Sequence, residues 1–417
     1  MFPRLVVAAA LFGSAPALHA QAPSVGGCTV LPADNIWNVR VDSLPVDANS
    51  AAYVASIGAT IGVHPDFGSG FWDGGPIGIP FTTVRADEPE VAIEFTAYGD
   101  ESDPGPYPVP RDAPVEGGDQ SDGDRHVLVV DTDACKLYEL YRAFLQSDRS
   151  WQADSGAVYD LRSHALRPDT WTSADAAGLP IFPGLARYDE VAAGEIRHAL
   201  RFTAPRTRKT HIWPARHDAS SLTSATLPPM GQRFRLKASV DVTRFSPQVQ
   251  VILRALQRYG MILADNGSAW YVSGAPDPGW DDDSLVGELR QIKGSDFEAV
   301  DVSSLRINAN SGQARVGTPP PPTASIRIVA PNGGESLKKK TPASIEWVSS
   351  NVTGKLRIEL SRDGGATWTR LFAGTANDGV QAWNVGGAVT TRGRLRITSV
   401  LAPGASDVSD ADFEIYR

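Results

Sequence analysis

A chain of 417 residues holds two or three packed units by ordinary domain size. With 42% hydrophobic and 21% charged residues it has material for a sizeable core, which excludes disorder, collagen and coiled coil. A formal charge of -9 argues against nucleic acid as the main partner, because phosphate recognition needs a concentrated basic face.

The opening MFPRLVVAAALFGSAPALHA carries Arg4, an apolar run from Leu5 to Phe12 and a small-residue cleavage site ending at Ala20. Residues 1–20 therefore read as a secretory signal peptide. The apolar run is far shorter than the ~20 residues a membrane span needs, so an extracellular or periplasmic protein with no membrane span is expected. Cys28 and Cys135 are the two cysteines, and in an oxidising compartment they predict one disulfide. A zinc site or a cysteine nucleophile would need a CxxC partner or a nearby His at ligand spacing, and neither is present.

Residues 28–310 form the predicted body. Segments such as VAIEFTAY, HVLVVD, KLYELYRA, EIRHALRFT, QRFRLKASVDV and AWYVSG alternate or run in β-branched and aromatic residues, the pattern of strands. One helix interrupts them, with Ser246 as N-cap, Pro247 in its first turn, an apolar face at Val249, Ile252, Leu253 and Leu256, and Gly260 as its stop. The fold class is mainly β, a β-sandwich or jelly-roll-like body with one packed helix. No βαβ alternation or phosphate loop calls for a nucleotide cofactor. The acidic stretch from Asp100 to Asp124 fits no EF-hand spacing and reads as a solvated loop, with a structural Ca²⁺ the one metal left open.

Chemistry concentrates in two places. If HVLVVD and KLYELY form a hairpin, an even-length turn pairs Asp131 with Lys136, Leu128 with Glu139 and His126 with Tyr141. His126, Glu139 and Tyr141 then share one face, either as a base, an acid and a donor or as an outward, wet sheet surface. In EIRHALRFT, His198 alternates with Ile196, Leu200 and Phe202 and points to the apolar side, where it needs a partner such as Glu190. His211 and His217 flank Trp213 and Arg216, a pair suited to stacking and hydrogen bonding on a sugar ring or to ordinary packing. No HExxH, GxSxG or SxxK motif offers a zinc-protease or serine-hydrolase entry point.

After the body, residues 311–323 read as a Pro-rich linker around TPPPPT. Residues 324–417 then show short period-2 segments separated by Asn-Gly and Asp-Gly turns, enough for a seven-strand sandwich. This unit carries 12 Lys and Arg against 9 Asp and Glu, whereas residues 21–323 carry 26 against 39. Such asymmetry suits a tail that rests on an anionic wall or polymer, or a solvated surface without a partner.

On APNGGE and SRDGGATW, residues 324–417 resemble the immunoglobulin/fibronectin-like accessory modules of secreted bacterial enzymes. On DNIWN, GDRHVLVVD with LYELY, GLPIFPGLARYDEVAAGEIRHAL, WPAR, PPMGQRFRL and RYGMILADNG, the body resembles a family of secreted bacterial proteins. That resemblance covers most of residues 30–270 and singles out His126, Asp131, Glu139, Glu190, His198, Arg216 and Asp265, without implying a reaction.

Together these readings predict a secreted polysaccharide-active enzyme whose partner is a polysaccharide or cell-wall glycan. Glycoside hydrolysis comes first: Glu139 and Glu190 as paired carboxylates, His126 and His198 setting their ionisation, and Tyr141, Trp213, Arg216, Asp131 and Asp265 binding substrate. A polysaccharide lyase is the alternative, with Tyr141 or His126 as base and Arg216 neutralising a uronate. The non-catalytic alternative is a carbohydrate-binding or surface adhesion protein with Trp37, Trp72, Trp213 and Tyr141 as a sugar platform.

Overall fold

A computed structural model describes residues 22–316, 325–350, 352, 354–401 and 404–417. The signal segment 1–20 and the Pro run 318–323 lie outside the described residues. With 34% strand and 12% helix, the protein is mainly β. It divides into two compact units between Val316 and Gly317. The linker expected from residue 311 therefore starts later. Backbone bridges join Asn35 to Gln313 and Ala165 to Ser311, so residues 311–316 are held on the body by pairing that the composition of the stretch does not reveal.

Among the described residues the body holds three sheets of three or more strands and two two-stranded ribbons, Ser24–Val25 with Cys28–Thr29 and Phe71–Trp72 with Gly75–Pro76. The largest has six strands in the spatial order Phe297–Val300, Arg233–Leu236, Met261–Asn266, Leu200–Ala204, Tyr271–Ser273, His64–Asp66. Its Leu200–Ala204 strand runs parallel to Met261–Asn266 and antiparallel to Tyr271–Ser273, so the sheet is mixed. A four-stranded sheet orders Ser155–Asp160, Lys136–Tyr141, Val127–Asp131 and Phe81–Val84. In it Leu128 faces Glu139 and Asp131 faces Lys136, the register that the hairpin spacing predicts. A small three-stranded sheet completes the set.

The core follows from strands buried on both faces. Leu128, Val130 and Leu137 point into the main cluster with Phe182, Phe202, Phe234 and Trp270, whereas Val127, Val129 and Leu140 point the other way into a second cluster with Tyr107 and Trp151. At about 25 cal/mol per Å² of apolar surface, burial of such side chains supplies most of the folding drive.

The predicted helix spans Pro247–Arg258 and buries Val249, Ile252, Leu253 and Leu256. Gly260 ends it at φ +66, where a Cβ would stand 2.1 Å from the Phe234 carbonyl oxygen. Three further helices, Ser50–Ile57, Tyr188–Ala192 and Asp282–Leu289, are at most eight residues long, too short for a 3.6-residue period to declare itself. The Cys28–Cys135 disulfide is formed and closes a sequence separation of 107 residues. Among the described residues, no helix is long and apolar enough to cross a membrane.

The C-terminal unit has a three-stranded sheet, Ser325–Ala330, Pro342–Ser350 and Val380–Asn384, and a larger sheet centred on Thr390–Ser399 and Leu356–Ser361. Ile328, Ile345, Trp347 and Trp383 of the first share one core with Leu356, Ile358, Leu395, Ile397 and Phe413 of the second. Alternation along each strand produces this two-sheet packing.

Candidate functional site

The residues with most chemistry meet where segment 171–184 bridges the two larger sheets. Four contacts pin that segment. Ser155 Oγ donates to Ser173 O at 2.8 Å, His126 Nε2 donates to Ala174 O at 2.9 Å, Arg201 grips Asp175, and the Glu139 carboxylate accepts from Ile181 N and Phe182 N at 2.9 Å each.

Arg201 is the hub. It lies buried in the central strand of the six-stranded sheet and holds Asp175 with two bonds, Nε to Oδ2 at 2.8 Å and Nη2 to Oδ1 at 2.9 Å. Its Nη1 donates to Ser273 Oγ at 2.6 Å, and its Nη2 also stands 3.3 Å from Asp265 Oδ2. Burial opposes a charged guanidinium, but the two aspartates outweigh it and raise the Arg201 pKa.

Asp265 is aimed by a β-bulge. The ladder between the Leu200 and Met261 strands shifts between Phe202 and Thr203, so that Thr203 pairs with Asp265 and Ala264 is skipped. The Ala264 carbonyl accepts from Ala177 N at 2.9 Å instead, which ties segment 171–184 to the bulge. Burial, then the charge of Asp175, pushes the Asp265 carboxyl up to about 7 against the pull of Arg201.

Within Coulombic reach of the Arg201 guanidinium is the Glu116–His126 pair, Glu116 on a loop and His126 just ahead of the Val127–Asp131 strand. His126 Nδ1 stands 2.5 Å from Glu116 Oε2 and its Nε2 stands 2.9 Å from Ala174 O, so both ring nitrogens meet acceptors and the imidazolium satisfies both. Burial opposes that charge, but Glu116 overrides it and lifts His126 to about 9. The same pairing outweighs burial and lowers the Glu116 pKa.

Glu116 and Asp265 each leave 24% of the side chain open to solvent, yet burial is the largest influence on both. This combination marks carboxyls inside a recess rather than on a convex surface. Asp66 shares the pattern, its pKa raised first by burial and then by Glu116. Half-buried Tyr141 has its ring 5.6 Å from that of His126 and feels Asp124 and Asp265.

Of the residues singled out by sequence, His126, Tyr141 and Asp265 thus meet at the recess. The others stand apart from it or beneath it. Glu139 is fully buried, with both oxygens turned to backbone N–H groups, and burial raises it to about 7. Its sheet face is not wet, because segment 171–184 covers it. His198 is sealed between Ala199 O at 2.8 Å and Glu190 Oε2 at 2.9 Å, and Glu190 also pairs with Arg187 at 3.0 Å. Glu139 and Glu190 hence occupy separate hydrogen-bond networks, each with its own internal partners. Asp131 accepts from Asp133 N and Ala134 N and fixes the hairpin turn. Trp213 donates its indole N–H to Ser311 O at 2.8 Å. Arg216 donates to Arg167 O, Ala309 O and Asn310 Oδ1, so both side chains bind the body's last segment.

Arg201 and Asp175 escaped sequence reasoning. The available signal was a cation in the middle of the apolar strand LRFTA and an aspartate between alanines, charges that a doubly buried sheet tolerates only when paired. Among the described residues, no group of three His, Cys, Asp or Glu side chains is placed to hold a metal ion. A cavity of about 620 Å³ lies elsewhere, bordered by Ala52, Arg206, Leu222 and Leu227, and no carboxyl or imidazole lines it.

Family models, curated proteins and solved structures were each searched for relatives, and none matches this chain.

Proposed function

We propose that this chain is a secreted polysaccharide-active enzyme of the glycoside hydrolase type, acting at the Arg201 recess, with residues 324–417 as an immunoglobulin/fibronectin-like accessory module. The observation that carries the reading is one recess holding two part-exposed carboxyls with opposite electrostatic settings, Asp265 beside the Asp175–Arg201 pair and Glu116 beside His126. Pairs of carboxyls driven apart in this way divide into acid and base.

In this mechanism Asp265 is the general acid. Asp175 occupies most of Arg201, so Asp265 retains its proton near neutral pH and delivers it to the glycosidic oxygen as the bond to the sugar breaks. The carboxylate left behind is stabilised by Arg201 Nη2. Glu116, kept ionised by His126, takes the proton of an attacking water; both of its bonds to His126 use Oε2 and spare Oε1. The pairing of Glu139 with Glu190 is replaced because neither carboxyl reaches the recess.

The lyase alternative keeps only part of its machinery. Both His126 nitrogens act as donors, which leaves Tyr141 as its base, and Arg216 spends its donors on backbone carbonyls and Asn310. Purified protein is incubated with a panel of neutral and uronate polysaccharides and read by reducing ends and ultraviolet absorbance. The expected result is reducing ends without an unsaturated product; absorbance from a uronate polymer favours the lyase, and no release from any polymer rejects catalysis on glycans.

A further inference from the structure

The most exposed aromatic pair of the body sits at the edge of the recess. Phe71 and Trp72 leave 76% and 79% of their surface in solvent, while Trp37 and Trp213, the other tryptophans weighed as a platform, are buried. Their exposure is built by a rigid device. Phe71 pairs with Pro76 and Trp72 with Gly75, across an Asp73–Gly74 turn with φ of +50 and +89, the combination a two-residue type I′ hairpin requires.

The stem is anchored on three sides. Phe67 is buried with its ring 4.8 Å from that of Trp280, Ser69 donates through N and Oγ to the Asp282 carboxylate at 2.7 and 2.8 Å, and Ile79 N donates to Gly274 O at 3.0 Å. The tip lies on the loop that follows Glu116. A Cβ at Gly75 would stand 2.0 Å from the Gly117 carbonyl carbon, and one at Gly118 would stand 3.0 Å from Gly74 O. The two glycine pairs therefore pack backbone to backbone, directly beside the base of the proposed reaction. Asp66 leads into the same hairpin from the strand that pairs with Ser273.

A large aromatic surface held open by a braced hairpin is costly unless something covers it. Successive strand residues face opposite sides, and Trp72 is the one that shares the face of its cross-strand partner Gly75, toward the Gly117–Gly118 loop. The geometry points to Trp72 as a stacking platform for a sugar ring of a glycan chain that enters the recess, a substrate-binding site outside the acid and base. This rests on the hydrolase reading for the identity of its occupant. A sugar ring offers an apolar face to the aromatic ring and hydroxyls to the carboxyls beside it, and the acidic recess favours an uncharged chain over a uronate.

The test measures binding of cellohexaose, xylohexaose, mannohexaose and chitin hexasaccharide by calorimetry to the whole protein and to Trp72→Ala, Phe71→Ala and Gly75→Ala. Tyr98→Ala, another exposed aromatic at 45%, is the control. The expected result is that one hexasaccharide binds the parent, that Trp72→Ala weakens it at least about tenfold with an unchanged melting curve, that Gly75→Ala does the same by displacing the hairpin, and that Phe71→Ala, on the opposite face, and Tyr98→Ala have no effect. Equal affinity in parent and Trp72→Ala overturns the platform, as does absence of binding by the parent. Light scattering that shows a dimeric parent and a monomeric Trp72→Ala overturns it in favour of a second copy. Binding through Trp72 without hydrolysis of any glycan rejects the catalytic reading alone; hydrolysis with Trp72-independent binding rejects the platform alone.

Discussion

Asp265 Oδ2 stands 3.3 Å from Arg201 Nη2, while Asp175 binds the same guanidinium through both of its oxygens at 2.8 and 2.9 Å. One cation thus serves two carboxyls unequally. The better-served Asp175 is buried, and the less-served Asp265 faces solvent and keeps its proton. Asp175→Asn removes the negative neighbour and frees Arg201 for Asp265. The alkaline limb of the pH–rate profile then moves to lower pH by about one unit or more, measured beside a melting curve that confirms folding. An unmoved limb in folded protein separates the two aspartates.

The His126–Glu116 pair makes stability depend on pH at the alkaline end. His126 is raised from 6.5 to about 9, so its contribution is complete below about pH 6.5 and is lost as pH rises through 9. The loss is a few kcal/mol at most, given about 1.4 kcal/mol per unit. Denaturant titration at pH 6 and pH 10 should show it, and His126→Gln should flatten the difference.

Glu139 behaves differently because burial outweighs its two backbone N–H partners and the more distant charge of His126. Its pKa rises from 4.5 to about 7, so its stabilising contribution is present below about pH 4.5 and disappears as pH rises through 7. In Glu139→Gln the slope of stability against pH between 4.5 and 7 should shrink by up to about 3 kcal/mol over the interval. An unchanged slope would mean that the carboxyl is reached by water.

The disulfide closes a loop of about a hundred residues, for which chain entropy gives about 4–5 kcal/mol. Cys28→Ser or mild reduction should lower unfolding free energy by about 2–5 kcal/mol in urea titrations. Cys28 sits in the short Cys28–Thr29 strand, so the main effect expected is release of the N-terminal segment from the Cys135 turn.

Local features were legible in the sequence. Strand alternation, the Ser246–Pro247 helix start, the Leu128–Glu139 register and the cysteine pair each depend on a few neighbouring residues. What could not be read was which surfaces distant segments cover. The face bearing His126 and Glu139 looks amphipathic in isolation, and only the return of residues 171–184 turns it inward. Trp213 and Arg216 resemble a sugar-binding pair until residues 309–311 cap them. Arg201 and Asp175 lie 26 residues apart and have no local signature, because their pairing is a property of the assembled sheets. Trp72 is the reverse case, an aromatic whose Asp-Gly turn marks it as a hairpin tip but whose packing on the Gly117–Gly118 loop only the fold supplies.

The most direct test compares the parent with Asp265→Asn on the polysaccharide that the panel selects, measuring initial rates of reducing-end release from pH 4 to 9. The parent rate is expected to decline on the alkaline side near pH 7 and the Asp265→Asn rate to fall about a hundredfold or more, with the melting curve retained. Full activity in folded Asp265→Asn would remove Asp265 as the general acid.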